Sequence, residues 1–487
     1  MINNTFTRLA PALLSAAILA ACSVAPVYER PAAAVPAAFK EAAVDPAEAA
    51  RWKTAQPAEH LQRGDWWTAF GDATLNALQQ EAQEENQDLR IGAARLAQSR
   101  TIEREARAAL SPQVGFGFGP TRQRASPAAQ GLPADAATSA TTLWRAQAGF
   151  SYEADLFGRI GSTVTAAGAD TERNAALLRS LQLAIQADVA QAYFLLREID
   201  AELALYASTV ELRSQTLQLL ERRYAQGDIT EVDVARGRTE LAAARAESLG
   251  LARRRAGTEH ALAVLLGRAP ADFGVAPQPL GRTTVKVPAG LPSALLERRP
   301  DIAAAERGMA AANARIGAAQ AAFFPRLSLT GALGYESNEL GDLFKWSSRS
   351  FLLGPLLGTM LSLPVFDGGA RQAGVDRARA SYEEEVARYR QTVLQAFREV
   401  EDNLANLRIL DDQTRQQDVA AVTASERAAR LLRLQYREGA VSFLNVIDAD
   451  RSVLLQRRVA VQLDGERARS TVDLIRAMGG GWDAPAQ

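Results

Sequence analysis

Trp144-Arg145-Ala146-Gln147-Ala148-Gly149-Phe150-Ser151-Tyr152-Glu153-Ala154-Asp155-Leu156 is the stretch that decides the fold: every even position is apolar, every odd one polar or glycine. A period of two sends successive side chains to opposite faces of a strand, so one face is apolar and the other wet. Outward from it, Val114, Phe116 and Phe118 alternate with glycines, and Leu327, Leu329, Leu333 and Tyr335 alternate with Arg326, Ser328, Thr330 and Glu336. A fourth stretch, Phe351 to Leu363, is apolar on both faces and alternates least. Segments of about ten residues with this pattern suit a transmembrane β-barrel, lipid outside and water inside. Two amphipathic hairpins covering a soluble core would show the same spacing.

Between the strands the chain is helical. No proline interrupts Pro133 to Pro270 or Pro364 to Pro485. Leu178, Ile185, Ala192, Ile199 and Tyr206 recur every seven residues, with a companion stripe of Val189, Leu196, Leu203, Val210, Leu217 and Tyr224. The second block carries Val386, Val393, Val400 and Leu407. Heptads sustained this far predict coiled-coil packing. A helix from about Ile160 to Gln226 would extend roughly 100 Å at 1.5 Å per residue.

The chain is duplicated. Asn86–Pro112 parallels Arg299–Pro325 at an offset of 213, Leu156-Phe157 parallels Val365-Phe366 at 209, and Tyr224-Ala225-Gln226-Gly227 parallels Tyr436-Arg437-Glu438-Gly439 at 212. Offsets this steady predict two structural copies with matched element lengths, each helix, strand, strand, long helix, turn, helix.

Composition excludes several classes. With 55 Lys plus Arg against 56 Asp plus Glu over 487 residues, no net basic field draws nucleic acid. One Cys forbids an internal disulfide, and with two His (His60, His260) and four Met it argues against a metal site or a His-dependent triad. Glu383-Glu384-Glu385 and Asp411-Asp412 are adjacent carboxylates that diverge on a helix. Gly115-Phe116-Gly117-Phe118-Gly119 has no lysine and opens no helix, so it is no phosphate loop. No catalytic residues are assigned, and no cofactor is expected beyond a covalent lipid.

That lipid is expected at Cys22. Arg8 precedes an apolar stretch, Leu9 to Ala21, too short to cross a bilayer and typical of a secretory signal. Leu19-Ala20-Ala21-Cys22 matches the lipobox of bacterial lipoproteins, and Cys22 is the sole thiol; cleavage after Ala21 beside an incidental Cys is the alternative. Residues 24 to 60, rich in Pro and Ala, suit a tether or strap. The expected organisation is a signal peptide (1–21), a lipid-anchored extended segment (22–65), a first repeat (66–270), a connector (271–295), a second repeat (296–480) and a tail (481–487).

Four strands cannot close a barrel, and open edges in hydrocarbon would leave N–H and C=O groups unpaired at several kcal/mol each. Two, three or four copies would supply eight, twelve or sixteen strands, and periodicity does not choose among them.

Leu296-Glu297-Arg298-Arg299-Pro300-Asp301-Ile302, followed by Ala305-Glu306, resembles the Arg-Pro-Asp-Ile signature of the outer-membrane factor lipoproteins of tripartite efflux pumps, the TolC/OprM-like or NodT family. Trp66-Trp67, Phe70, Asp72, Leu75, Leu78, Asn86 and Leu89 resemble that family's opening motif, and Leu363-Pro364-Val365-Phe366-Asp367-Gly368-Gly369 its strand-to-helix junction. The resemblance implies an α+β fold in which a long coiled-coil helical barrel continues a transmembrane β-barrel, four strands per protomer and twelve in a homotrimer. It further implies a lipid-anchored outer-membrane protein with a long periplasmic extension, a periplasmic adaptor, an inner-membrane transporter of the resistance-nodulation-division type, and no enzymatic activity. The function expected is the exit duct for drugs or other small toxic compounds; a type I secretion channel or a non-pore lipid-anchored scaffold is the alternative.

Two turns are expected at the far end of the long helices. Tyr224, Gly227 and Asp228 in the first, and Tyr436, Gly439 and Val441 in the second, are the candidate adaptor contacts, with both glycines serving as helix caps. Beyond the second turn Leu444 and Asp448, at i and i+4, share a helical face. Facing a symmetry axis they would form an apolar and a carboxylate ring, and they match the family's periplasmic gate. Val232 and Arg236 hold these positions in the first copy, so an acidic ring there would need Asp233.

Overall fold

The computed structural model describes residues 24–32, 35–36, 39–41, 65–281, 285, 292–353 and 361–480. The expected signal peptide, Cys22 and the tail 481–487 lie outside the described residues. The chain divides into two compact units.

The first unit, whose described residues are 24–32, 95–174, 305–353 and 361–389, holds the sheet. Strands β1 (Gln113–Gln123), β2 (Thr141–Ala154), β3 (Arg326–Ser337) and β4 (Arg349–Leu353) are antiparallel in that order, and the short β5 (Leu361–Ser362) also pairs with β3. The fourth strand therefore begins at Arg349 rather than Phe351; residues 354–360 lie outside the described residues. The two repeats join at β2 and β3, in register from Trp144 opposite Ser337 to Ala154 opposite Leu327.

Register sorts the faces. Phe116 sits opposite Ala148, Ala148 opposite Leu333 and Leu333 opposite Phe351, all on one side. Phe116 is 75 % exposed and Phe351 80 %, so among the described residues this apolar band is uncovered. The opposite face carries an Arg145–Glu336 ion pair at 2.9 Å, and Gln147 donates to Ser350 at 3.0 Å. At the strand-to-helix junctions the Asp155 carboxylate accepts from the backbone N–H of Ile160 (3.0 Å) and Gly161 (2.6 Å), and Asp367 accepts from Gly369 and Arg371 (both 3.1 Å). These bonds satisfy amides that a helix start leaves orphaned. Phe157 and Phe324 stack with centroids 4.8 Å apart. The strap is fastened here: Tyr28 Oη donates to Glu306 at 2.7 Å, and Asn313 donates to the Pro26 carbonyl at 2.9 Å.

Among the described residues the second unit (within 33–94, 175–304 and 390–487) is mostly helical. Helices α1 (Ala73–Glu85) and α2 (Gln87–Ala108) correspond to α5 (Pro292–Arg298) and α6 (Pro300–Ala321) in the second repeat. The first long helix, α3 (Arg159–Ala225), has 67 residues, and α4 (Glu231–Leu265) has 35, as does its counterpart α9 (Phe443–Ala477). The opening motif becomes core and caps. Trp66, Trp67, Leu75, Leu78 and Leu89 pack with Ile185, Val189, Tyr193 and Leu196 of α3, Leu262 and Leu266, and Val472 and Ile475 of α9. Each large apolar side chain buried in this way stabilises by about 1.5–3 kcal/mol. Asp72 caps α1 by accepting from Thr74 (2.9 Å) and Leu75 (3.1 Å).

The second long helix departs from the uninterrupted heptad run that the sequence suggests. It comprises α7 (Ala370–Arg415), a π-helical segment (Gln416–Val422) and α8 (Thr423–Arg437). Its physical reason is a one-residue excess over the first repeat: the buried equivalents Val189 and Val400 are 211 positions apart, whereas Tyr224 and Tyr436 at the tips are 212 apart.

Candidate functional site

The two helix turns are built alike. In the first, the N–H of Gly227 donates to the Tyr224 carbonyl (2.9 Å) and that of Asp228 to the Arg223 carbonyl (3.0 Å); in the second, Gly439 donates to Tyr436 (3.1 Å) and Ala440 to Gln435 (2.8 Å). This is the Schellman pattern, which needs a left-handed residue at the position after the cap. Gly227 and Gly439 supply it with φ of 80° and 73°. No heavy atom stands within 4 Å of where a side chain would begin on either glycine. Both turns present open backbone.

The tip residues part ways beyond that. Tyr224 and Asp228 are exposed and Val441 is half-buried. Tyr436, the repeat equivalent of Tyr224, is not free: its hydroxyl accepts from Arg223 at 3.2 Å, and its ring lies 5.6 Å from that of Phe443. Leu220, Val234, Phe443, Val446 and Ile447 form a small core with Leu217, Ile229 and Tyr436, so the two hairpins are cemented together at their tips.

That core fixes the orientation of α9. Phe443, Val446 and Ile447 point into it, leaving Leu444, 41 % exposed, and Asp448 on the outward side of the same helix. Val232 and Arg236 are exposed at the equivalent places on α4, and Asp233 pairs with Arg236 at 3.8 Å.

Two residues absent from the sequence reading complete the site. Arg451, one turn beyond Asp448, approaches its carboxylate to 3.5 Å and donates from Nε to Glu240 at 3.0 Å. Glu240, buried on α4, also pairs with Arg213 of α3 at 3.0 Å. The i, i+3 spacing of Asp448 and Arg451 was visible in the sequence; the third partner, on another helix, was not. Further along, Arg433 pairs with Asp450 at 2.6 Å, Arg458 with Glu202 at 3.0 Å, and Arg469 with Glu198. Burial pushes the carboxyl groups of Glu198 and Asp450 above the usual range despite their arginines. Arginines of α8 and α9 are thus tied to acids along the bundle. Removing the arginine from such a pair would leave the buried carboxylate of Glu202 or Glu198 uncompensated.

Among the described residues no group of three or more His, Cys, Asp or Glu side chains could hold a metal ion, and no helix is long and apolar enough to cross a membrane. The sheet, the paired helices and the duplication meet a known family, described as Outer membrane efflux protein, which matches residues 78–268 and 291–480. The chain belongs to this family. It is 36 % identical over 482 residues to outer membrane protein OprJ of Pseudomonas aeruginosa, covering 97 % of this chain and 95 % of that protein. It is 34 % identical to the toluene efflux pump outer membrane protein TtgF of Pseudomonas putida, covering 96 % and 95 % respectively. Among solved structures it resembles the outer-membrane channel OprN, with a TM-score of 0.84, 30 % identity, and coverage of 95 % of this chain and 100 % of that one. As a member of the family this chain is an outer-membrane efflux channel with a periplasmic helical extension, and not an enzyme.

Proposed function

We propose that three copies close the channel into a twelve-stranded barrel, and that it serves as the passive exit duct for small toxic compounds, amphiphilic drugs and solvents among them, in a tripartite pump of the resistance-nodulation-division type. One observation carries this reading: the apolar face of the sheet is bare, and among the described residues β1 pairs only with β2 while β4 and β5 pair only with β3. Edges of this kind are satisfied in hydrocarbon only by neighbouring strands. The lipid on Cys22 adds a second hold on the membrane, since one acyl chain alone binds marginally.

In this reading the periplasmic adaptor docks on the turns at Tyr224, Gly227, Asp228, Gly439 and Val441, with Tyr436 bracing the tip from within. Leu444 and Asp448 face the axis, the first closing the tube by an apolar ring and the second lining it with carboxylates that favour cations. Their outward placement on α9, opposite the tip core, supports this. Planar-bilayer conductance of purified oligomers tests it. Asp448→Ala should raise conductance and weaken cation selectivity; a variant unchanged in both would remove Asp448 from the pore.

A further inference from the structure

Strand register arranges the outer, apolar face of the sheet in rows. Phe116, Ala148, Leu333 and Phe351 form one of them. The next row toward the hairpin ends joins Phe118, Ala146, Tyr335 and Arg349, and the one after it joins Pro120, Trp144 and Ser337. Arg122, opposite Thr142, stands one row further. Successive rows are about 6.8 Å apart, two residues of strand. Because α2 leads into β1, β2 into α3 and α6 into β3, the hairpin ends point away from the periplasmic helices, toward the cell exterior.

Aromatic rings gather at this level. Those of Trp144 and Phe118 lie 6.1 Å apart, and Tyr335 meets Phe344 edge-on at 5.6 Å. Phe344 and Trp346, between β3 and β4, are exposed; the Arg349 guanidinium lies over the Trp346 ring, and its Nε donates to the Trp346 carbonyl at 3.0 Å. Rings at this depth mark the boundary between hydrocarbon and headgroups in membrane barrels.

The two faces of the sheet carry charge differently. On the wet face Arg145 has Glu336 as its counterion. On the outer face of β1 to β4 the charged residues are Arg122 and Arg349, both exposed, with no Asp or Glu between them. Among the described residues no carboxylate forms an ion pair with either. At the opposite end of this face stand Val114, Tyr152 and Leu327, and no cation. A cation held at a lipid surface without a protein counterion draws an anion from the membrane, and guanidinium matches phosphate with paired N–H donors. On the exterior side of an outer membrane that anion is the phosphate of lipopolysaccharide.

We propose that Arg122 and Arg349, with the Phe344 and Trp346 rings beside Arg349, form a binding surface for the phosphorylated glucosamine headgroup of lipopolysaccharide and so seat the channel in the outer leaflet. The arginines hold phosphates, and the rings cover sugar and the first methylenes of the acyl chains. This placement follows from register within one sheet and holds whatever number of copies closes the barrel.

Native mass spectrometry of the detergent-purified full-length oligomer, titrated with bis-phosphorylated lipid A, its dephosphorylated form and phosphatidylglycerol, tests the proposal. Wild type should bind the bis-phosphorylated form about tenfold more tightly than either of the others, and Arg122→Gln and Arg349→Gln should each weaken that binding by about fivefold. Arg145→Gln, on the wet face, should leave it unchanged. Equal wild-type affinity for the phosphorylated and dephosphorylated forms, an undiminished preference in the double variant, or a matching loss in Arg145→Gln would overturn the site. Phosphatidylglycerol bound as tightly as lipid A would reveal a general response to negative charge and overturn it equally. Should a variant fail to assemble, the wild-type comparison among the three lipids decides. The same spectra count the copies, so a wrong stoichiometry and a missing lipid site are read separately.

Discussion

Asn86 and Arg299, equivalent positions 213 residues apart, perform the same task in the two repeats: Asn86 donates from Nδ2 to the carbonyl of Leu265 at 2.7 Å, and Arg299 donates from Nη1 to the carbonyl of Ala477 at 2.9 Å. Those carbonyls end α4 and α9, where four acceptors lack helical partners. Arg299 does more than Asn86. Its side chain, 9 % exposed, also grips Asp301 at 2.6 Å and Glu399 at 2.6 Å, and Pro300 starts the next helix. The Arg-Pro-Asp-Ile motif is therefore a clamp at the foot of α9.

Arg299→Ala should destabilise the oligomer by about 3 kcal/mol, since bonds to charged groups are worth more than neutral ones, whereas Asn86→Ala should cost about 2 kcal/mol, for its bond to Leu265 and the cap bond it accepts from Leu89. Denaturant midpoints followed by circular dichroism would compare them. Equal losses would mean that the two carboxylates contribute nothing to the clamp.

The glycines of the two repeats divide into two kinds. Gly267 and Gly479 hold φ of 71° and 86°, and an added Cβ would lie 2.4 Å from the Glu85 carbonyl oxygen in the first and 3.0 Å from that of Arg298 in the second. Alanine at Gly267 should cost about 3 kcal/mol, left-handed strain plus a backbone clash, while alanine at Gly227 or Gly439 should cost about 1–2 kcal/mol from strain alone. Thermal melting would rank them, and a Gly267→Ala melting point no lower than that of Gly227→Ala would contradict the cradle.

Because the tips are open, Gly227→Trp and Gly439→Trp should preserve folding and oligomers but abolish transport. Drug resistance at the wild-type level in both would eliminate the turns as a docking surface.

On the sheet, neighbouring residues should respond oppositely. Ala148 shares the apolar face with Phe116 and Leu333, so Ala148→Arg should impair membrane insertion by about 2–4 kcal/mol, whereas Gln147→Arg on the polar face should be tolerated. Heat-modifiable migration after refolding into vesicles reads the outcome, and equal tolerance would reverse the assignment of faces.

Asp450 gives a pH dependence. Burial raises its carboxyl above the ordinary value, outweighing Arg433, so the folded chain binds this proton more tightly than the unfolded one. Its contribution to stability is full below the unfolded value of about 3.9 and is lost as pH rises through the higher folded value. Wild type should lose stability relative to Asp450→Asn across that window. Parallel melting curves from pH 3.5 to 7 would exclude a raised carboxyl.

Helices, strands and duplication were legible because periods of two and seven follow from backbone geometry whatever the strands and helices later touch. The 67 residues of α3 and the alternation of β2 needed no partner to be read. The candidate site was legible in part. Gly227 and Gly439 stood out because a turn of that shape requires glycine, and Leu444 and Asp448 because their spacing selects one face.

Other features belong to the tertiary structure. Glu240 meets Arg451 across 211 positions of sequence, Tyr436 is half-buried and bonded to Arg223 where its twin Tyr224 is exposed, and an extra residue settles at Gln416–Val422 instead of displacing the tip. Local pattern records which face a residue occupies. Which distant charge reaches it, and where surplus length is stored, is decided when packed helices bring remote positions into contact, and no short stretch of chain contains that information.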